Sequence, residues 1–228
     1  MIPNLTADHG VAPRSAGRTG ARYPSVKRLM DVTLAFIGVV LLAPVFALVA
    51  LLVRLDSRGP VFHRRRVVAR QSLDLNGGGG PLRTFDAFKF RTMVADADDI
   101  LLTDEAFRRA FEVNYKLAAD PRVTRVGRVL RRTCLDELPQ LLNVLRGEMS
   151  LVGPRIVTPP ELERYGEHAG LLLSVTPGMT GLWQISERAS PSYPERVRLD
   201  REYIARRSLR LDLALLARTV LWLFSPRR

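Results

Sequence analysis

Val32-Thr33-Leu34-Ala35-Phe36-Ile37-Gly38-Val39-Val40-Leu41-Leu42-Ala43-Pro44-Val45-Phe46-Ala47-Leu48-Val49-Ala50-Leu51-Leu52-Val53 is a run of 22 residues without a charge, bounded by Asp31 and Arg54. As one straight helix it would measure roughly 33 Å, against about 30 Å of bilayer hydrocarbon. Length alone fits a membrane-spanning helix and exceeds what a soluble helix usually buries. Two features point elsewhere. Pro44 sits near the centre, where it removes a hydrogen bond and clashes with the preceding turn. Both flanks are basic: Lys27 and Arg28 precede the run, and Arg54, Arg58, Arg64, Arg65 and Arg66 follow it. Each flank favours the cytoplasmic side. A segment that enters, bends at Pro44 and returns keeps both flanks together, with limbs of about 11 residues or roughly 17 Å. The reading is a re-entrant membrane helix over 24–58. It starts too late and runs too long for a cleaved signal peptide. Residues 1–23 lack periodicity and read as a flexible tail.

The chain has 228 residues, of which 46% are hydrophobic and 25% charged, so it can bury a sizeable core and is not a disordered polyampholyte. A lone Cys134 excludes a disulfide framework and every multi-cysteine metal site. The 35 basic residues outnumber 23 acidic ones, giving a net charge of +12. Such a surface attracts nucleic acid, anionic headgroups or phosphorylated small molecules. Aromatics are only 7%, and neither a zinc finger nor an RNA-binding aromatic motif is found, so nucleic acid is not the expected partner.

Beyond the apolar run, 61–69 and 83–93 read as strands joined by a loop through Asn76-Gly77-Gly78-Gly79-Gly80-Pro81. No Gly-Lys-Ser/Thr follows those glycines, so they are not a phosphate loop. Residues 95–116 carry helical periodicity behind an acidic first turn. Thr124 to Arg132 reads as a basic amphipathic helix with Val126, Val129 and Leu130 on one face, and 135–146 as a helix closed by Gly147. Loops follow at Gly153-Pro154, Pro159-Pro160 and Pro177-Gly178. Residues 194–207 read as a helix, and 209–224 as a helix lying in the membrane interface. The expected fold is α+β and mainly helical, with a re-entrant membrane helix hairpin, interfacial amphipathic helices and a small β-hairpin. A cytoplasmic domain would occupy 59–228.

One constellation carries chemistry: Arg131-Arg132-Thr133-Cys134-Leu135-Asp136-Glu137-Leu138-Pro139-Gln140. Adjacent carboxylates stand at a helix start behind two arginines. Thr133 and Asp136 have the spacing of a capping box, and acidic residues at a helix N-terminus are ordinary, so spacing alone favours capping over catalysis.

The surrounding stretches decide otherwise. Lys27-Arg28-Leu29-Met30-Asp31 leads into the Pro44-broken run; Gly59-Pro60-Val61-Phe62, Lys89-Phe90-Arg91-Thr92-Met93 and Asp120-Pro121-Arg122-Val123-Thr124 follow. Then come the Asp136 block, Gly147-Glu148-Met149-Ser150-Leu151-Val152-Gly153-Pro154-Arg155, and Pro177-Gly178-Met179-Thr180-Gly181-Leu182-Trp183-Gln184. In this order, from residue 27 to about 217, the chain resembles the bacterial sugar transferase family, the monotopic polyprenyl-phosphate phosphoglycosyltransferases.

The resemblance implies transfer of a phosphosugar from a nucleoside diphosphate sugar, usually a UDP-sugar, to a polyprenyl phosphate such as undecaprenyl phosphate, releasing UMP. It implies Asp136 as nucleophile, through a phosphosugar-aspartyl intermediate, and Glu137 as base or orienting partner. It implies Mg²⁺ near Asp136, and Arg131, Pro154 and Arg155 at the diphosphate. Lys89, Arg91 and Arg188 are further substrate-binding candidates. It implies the cytoplasmic face of a bacterial inner membrane, with membrane lipids and polysaccharide-assembly proteins as partners. A carboxylate nucleophile splits one difficult displacement into two easier ones, and cations must neutralise the diphosphate it approaches. Two residues depart from the family pattern in stretches expected near nucleotide or sugar: Ile156 where proline is usual, and Glu187 where glycine is usual. The stretch 71–81 is longer than the family hairpin. The alternative is a non-catalytic membrane assembly partner of a polysaccharide complex.

Overall fold

The apolar run forms two helices with a sharp bend between them. In the computed structural model, which describes residues 23–71, 81–103, 105, 107–109, 120–186 and 192–224, α1 covers Tyr23–Leu41 and α2 covers Ala43–Asp56. They meet at 61°. The break falls at Leu42, two residues before the expected Pro44, because proline fits the first turn of a new helix but not the interior of an old one. Among the described residues no single helix is long and apolar enough to cross a membrane, whereas the bent pair together has the length and composition. Its outer face is apolar and bare, with Leu41 71% and Leu55 74% exposed.

The elements that follow are β1 (Phe62–Val68), β2 (Thr84–Phe90), α3 (Ala97–Thr103), α4 (Arg125–Thr133), α5 (Gln140–Arg146), β3 (Ser150–Val152), α6 (Pro159–Leu162), α7 (Ala169–Leu173), β4 (Gly178–Thr180), α8 (Tyr193–Arg206) and α9 (Leu209–Phe224). The fold is mainly helical with a small antiparallel β-hairpin, as the sequence reading had it. In that hairpin His63 faces Lys89, Arg65 faces Ala87 and Val67 faces Phe85. Alternate residues share a face, so Arg65, Val67, Phe85, Ala87 and Lys89 lie on one side of the sheet. Val67, Phe85 and Ala87 join the main core with Val144, Met149, Val152, Tyr203 and Leu215. Arg65 and Lys89 extend that face beyond the core.

The second sheet departs from the reading of 153–160 and 177–192 as plain loops. β3 and β4 pair in parallel, and Arg155 bridges to Gly178 just beyond them. The approach is close: a Cβ on Gly178 would lie 2.0 Å from the Gly153 nitrogen. Only glycine allows it, which explains both Gly-Pro and Pro-Gly steps. Val129 also differs, being 58% exposed while Leu130 on the same helix is buried. Of the expected 95–116 helix, α3 is described and most of the rest lies outside the described residues. So do the 1–22 part of the tail and the 72–80 part of the long loop.

Buried polar contacts tie the bent pair to the domain. Asp31 of α1 accepts from Ser150 Oγ at 2.7 Å and from the Leu151 N–H at 3.1 Å, gripping β3. Asp212 of α9 accepts from Lys27 Nζ at 2.8 Å, Tyr23 Oη at 3.0 Å and Tyr203 Oη at 2.8 Å. Arg28 donates to the carbonyls of Val144 and Leu145, capping α5. At the far end of α2, Asp56 accepts from the Val126 N–H at 3.0 Å and thereby sets the start of α4. The helix leading to the carboxylate pair is thus fixed to the end of the apolar segment.

Candidate active site

The Asp136-Glu137 pair stands on a short turn between two helices. α4 begins at Thr124, whose hydroxyl caps the Gly127 N–H at 3.0 Å. Gly127 lies against the chain at Thr92, where a Cβ would meet the carbonyl oxygen at 2.1 Å. α4 ends at Cys134, which adopts the left-handed conformation at φ 58 and bonds back to Leu130. This conformation is uncommon for a residue with a side chain. It turns the chain into a single 3-10 turn, Leu135–Glu137, before α5 starts.

The expected continuous helix over 135–146 is therefore two pieces, and the capping box fails. Thr133 Oγ1 donates to the carbonyls of Val129 and Leu130 inside α4, so Thr133 closes the helix before the carboxylates. Asp136 caps nothing by that route and remains available for chemistry.

Asn143 locks this turn against the hairpin. It accepts from the Phe88 N–H at 3.0 Å and donates to the Asp86 carbonyl at 2.8 Å and to Glu148 at 2.7 Å. The lock brings Lys89 of β2 to Glu137, where its ammonium donates to Oε1. Arg155 Nη2 lies 4.0 Å from the same oxygen. Arg131 Nε donates to Thr92 Oγ1 at 2.9 Å, and its charge reaches Asp136.

The two carboxyls are pushed apart. Burial, reinforced by the neighbouring Glu137 charge, drives Asp136 up to about 6 against the opposing pull of Lys89 and Arg131. Burial also acts to raise Glu137, but Lys89, Arg155 and Arg65 outweigh it and hold that carboxyl at about 2. Neighbouring acids with divergent proton affinities mark sites where two carboxylates have different tasks. At neutral pH both are ionised. Asp136 is the more basic of the two and is only 8% exposed.

The structure brings together Asp136, Glu137, Lys89, Arg131 and Arg155, with Pro154 buried in the turn that carries Arg155. Arg91 is elsewhere employed. It is 6% exposed, and its nitrogens donate to Ser57 Oγ and to the carbonyls of Ser57, Arg58 and Pro60. That grip fixes the turn after α2, a structural task. Arg188 and Glu187 lie outside the described residues. Ile156 is 5% exposed and packs in the main core, so that departure from the family pattern is a change of core residue.

Sequence reasoning missed Arg65 and Arg196. Arg65 pairs with Glu161 at 3.1 Å and contributes to the Glu137 environment. Its signal was present: within Arg64-Arg65-Arg66 only Arg65 shares the face of Val67. Arg196 of α8 stands over the Trp183 ring at 4.9 Å, and Arg155 stands over the same ring at 5.2 Å. No local motif announces that meeting.

The bacterial sugar transferase family profile matches residues 22–226. The chain belongs to the bacterial sugar transferase family. It is 43% identical over 211 residues to the exopolysaccharide production protein ExoY of Rhizobium meliloti, covering 89% of this chain and 88% of that protein. It is 41% identical over 199 residues to the UDP-galactose-lipid carrier transferase of Erwinia amylovora, covering 86% of this chain and 39% of that protein. It is 38% identical over 198 residues to the undecaprenyl-phosphate galactose phosphotransferase of Salmonella typhimurium, again with 39% of that protein covered and 85% of this chain. The chain thus spans about two-fifths of the length of the last two relatives and most of ExoY. The matched region contains the whole carboxylate site, and membership makes this a phosphoglycosyltransferase domain.

Proposed function

We propose that the chain transfers a phosphosugar from a nucleoside diphosphate sugar to a polyprenyl phosphate, with Asp136 as nucleophile. The observation that carries the reading is the pair of adjacent carboxyls held at about 6 and about 2 amid Lys89, Arg131, Arg155 and Arg65. The names of the Erwinia and Salmonella relatives support UDP-galactose chemistry and undecaprenyl phosphate as the donor and acceptor types.

A carboxylate oxygen of Asp136 attacks the phosphorus that bears the sugar. The bond from that phosphorus to the bridging oxygen breaks, and UMP leaves with the electron pair. The product is an acyl phosphate, a mixed anhydride between the Asp136 carboxyl and the phosphosugar. An oxygen of the polyprenyl phosphate then attacks the same phosphorus and breaks the bond to Asp136, giving polyprenyl diphosphate sugar and the free carboxylate. A nucleophile of raised basicity in a poorly solvated turn suits the first attack. The acceptor phosphate is already ionised at neutral pH, so the second attack needs no strong base. Glu137, at about 2, accordingly serves to orient Lys89 and Arg155. Those cations offset the donor's negative charge, and arginine's planar fork suits phosphate.

Among the described residues no three acidic, histidine or cysteine side chains gather to hold a metal alone. One carboxylate combined with substrate phosphates nevertheless fits magnesium, which keeps few protein ligands. Asp136 would hold Mg²⁺ jointly with the donor, and the ion would neutralise diphosphate charge there.

The acceptor explains the bent helix pair. Residues 24–58 would dip into one leaflet from the cytoplasmic face, basic flanks against anionic headgroups at about 1 kcal/mol per nearby cation. The apolar face of α9, with Leu213 and Val220 exposed, would lie at the same interface. A lipid-borne phosphate would then reach the site at membrane-surface depth, inside a bacterial inner membrane. Polysaccharide-assembly proteins would receive the product.

Purified chain incubated with Mg²⁺, undecaprenyl phosphate and a panel of UDP-sugars should release UMP with at least one donor. Absence of release from folded protein with every donor counts against the reading and in favour of a non-catalytic assembly role.

A further inference from the structure

Asp200 is 1% exposed on α8. Tyr165 Oη donates to its Oδ2 at 2.9 Å. Its Oδ1 is also buried and meets no side-chain donor among the described residues, while the Arg155 N–H acts on the carboxylate. Burial raises Asp200 to about 7 and outweighs the Tyr165 bond, the charges of Arg155 and Arg196 and the Arg155 N–H, all of which favour the ionised form.

Those two arginines share one platform. Arg155 lies 5.2 Å and Arg196 4.9 Å from the Trp183 ring centroid, and the Arg155 charge weakens the hold of Arg196 on its proton. Arg196 stands one helical turn before Asp200, on the same face of α8. Its Nε is buried without a partner among the described residues. Two guanidiniums beside one indole repel each other. Glu137 lies 4.0 Å from Arg155 but is already bonded to Lys89.

We propose that Asp200 is a positioning residue for donor binding: it holds Arg155 and Arg196 together against Trp183 so that both guanidiniums serve the donor's phosphates. The inference rests on the reading of Arg155 as a phosphate ligand and goes beyond it by naming Arg196 and Asp200. Asp200 itself touches no reacting atom. Through the Arg155 N–H it keeps the turn from Gly153 to Arg155 in place against α8, and its ionised form offsets part of the charge of the two arginines.

The test compares steady-state kinetics of the full chain with Asp200→Asn, a change that preserves shape and leaves an acceptor for Tyr165. Donor KM is expected to rise about tenfold, with kcat and acceptor KM within about twofold. A purely structural pin would instead reduce the active fraction, lowering kcat and leaving both KM values in place. Arg155→Lys combined with Asp200→Asn should raise donor KM by less than the product of the single effects, because both act on one element. If Asp200→Asn fails to fold, Tyr165→Phe carries the test, with donor KM expected about threefold up. Donor KM within twofold of wild type in the folded variant, or fully multiplicative effects with Arg155→Lys, would overturn the inference alone. A wild type that turns over no donor would overturn the phosphosugar-transfer reading, and this inference with it.

Discussion

Asp212 and Asp136 are both buried carboxylates within reach of lysine, yet their surroundings differ. Asp212 accepts hydrogen bonds from Lys27, Tyr23 and Tyr203, and it joins α1, α8 and α9. Asp136 meets Lys89 and Arg131 as charges, and among the described residues no side chain donates a hydrogen bond to it. Around Asp212 the donors and acceptors match. Around Asp136 stand Lys89 and Arg131, with Glu137 as its carboxylate neighbour and Arg155 and Arg65 acting on Glu137. A matched cluster holds elements together; an unmatched one retains capacity for a ligand. The same distinction separates two arginines of the sequence motifs. Arg91 has its donors bound by the 57–60 turn, whereas Arg155 is a third exposed, with a side-chain exposure of 33%.

The sharpest way to break the comparison is to neutralise each acid in turn. Asp136→Asn should lower UMP release by about 10⁴-fold, equivalent to about 5 kcal/mol. The same change should stabilise the fold. With its folded value raised to about 6, ionised Asp136 imposes a penalty that grows from about pH 4 to 6 and is complete above. Denaturant melts at pH 8 should show Asp136→Asn more stable than wild type by about 2 kcal/mol. Asp212→Asn should do the reverse. It leaves Lys27 without its buried anion and should lower stability by about 3 kcal/mol, with specific activity retained per folded molecule.

Glu137→Gln sharpens the contrast within the site. Loss of the anion for Lys89 and Arg155 should reduce turnover about 30-fold, roughly 2 kcal/mol, by letting both cations drift. Its folded value is depressed to about 2, so the stability it contributes is present above about pH 4.5 and lost as pH falls towards 2. The wild type carries the same test in its pH dependence. Nucleophilic attack needs ionised Asp136, so the rate of donor cleavage should be flat above pH 7 and fall about tenfold per unit below 6. A profile that is level down to pH 4.5 would deny Asp136 its raised basicity.

Much of the frame was legible because it depends on composition and periodicity. The 22 uncharged residues with a central proline announced a bent apolar element, although the break came at Leu42. The glycine loop between two strand-like stretches gave the hairpin, and Gly147 closed its helix as expected with φ 82. The carboxylate pair was visible only through neighbouring motifs, since Thr133-x-x-Asp136 has the spacing of a cap. What overturned capping was the left-handed Cys134, a backbone state that no propensity marks in a cysteine. The β3–β4 pairing was hidden because three-residue strands carry no period. Arg196 and Asp200 were hidden because they reach the site by tertiary packing of α8, far along the chain from Asp136.

The central claim is that Asp136 becomes covalently loaded before any lipid acceptor arrives. The direct measurement mixes purified chain with Mg²⁺ and an active UDP-sugar in the absence of polyprenyl phosphate, quenches in acid, and weighs the peptides. The account predicts a peptide containing Asp136 heavier by one sugar phosphate, one UMP released for each loaded site, loss of the added mass on later addition of polyprenyl phosphate, and no adduct in Asp136→Asn. UMP release that requires the acceptor from the first turnover, with every peptide unmodified, would contradict it.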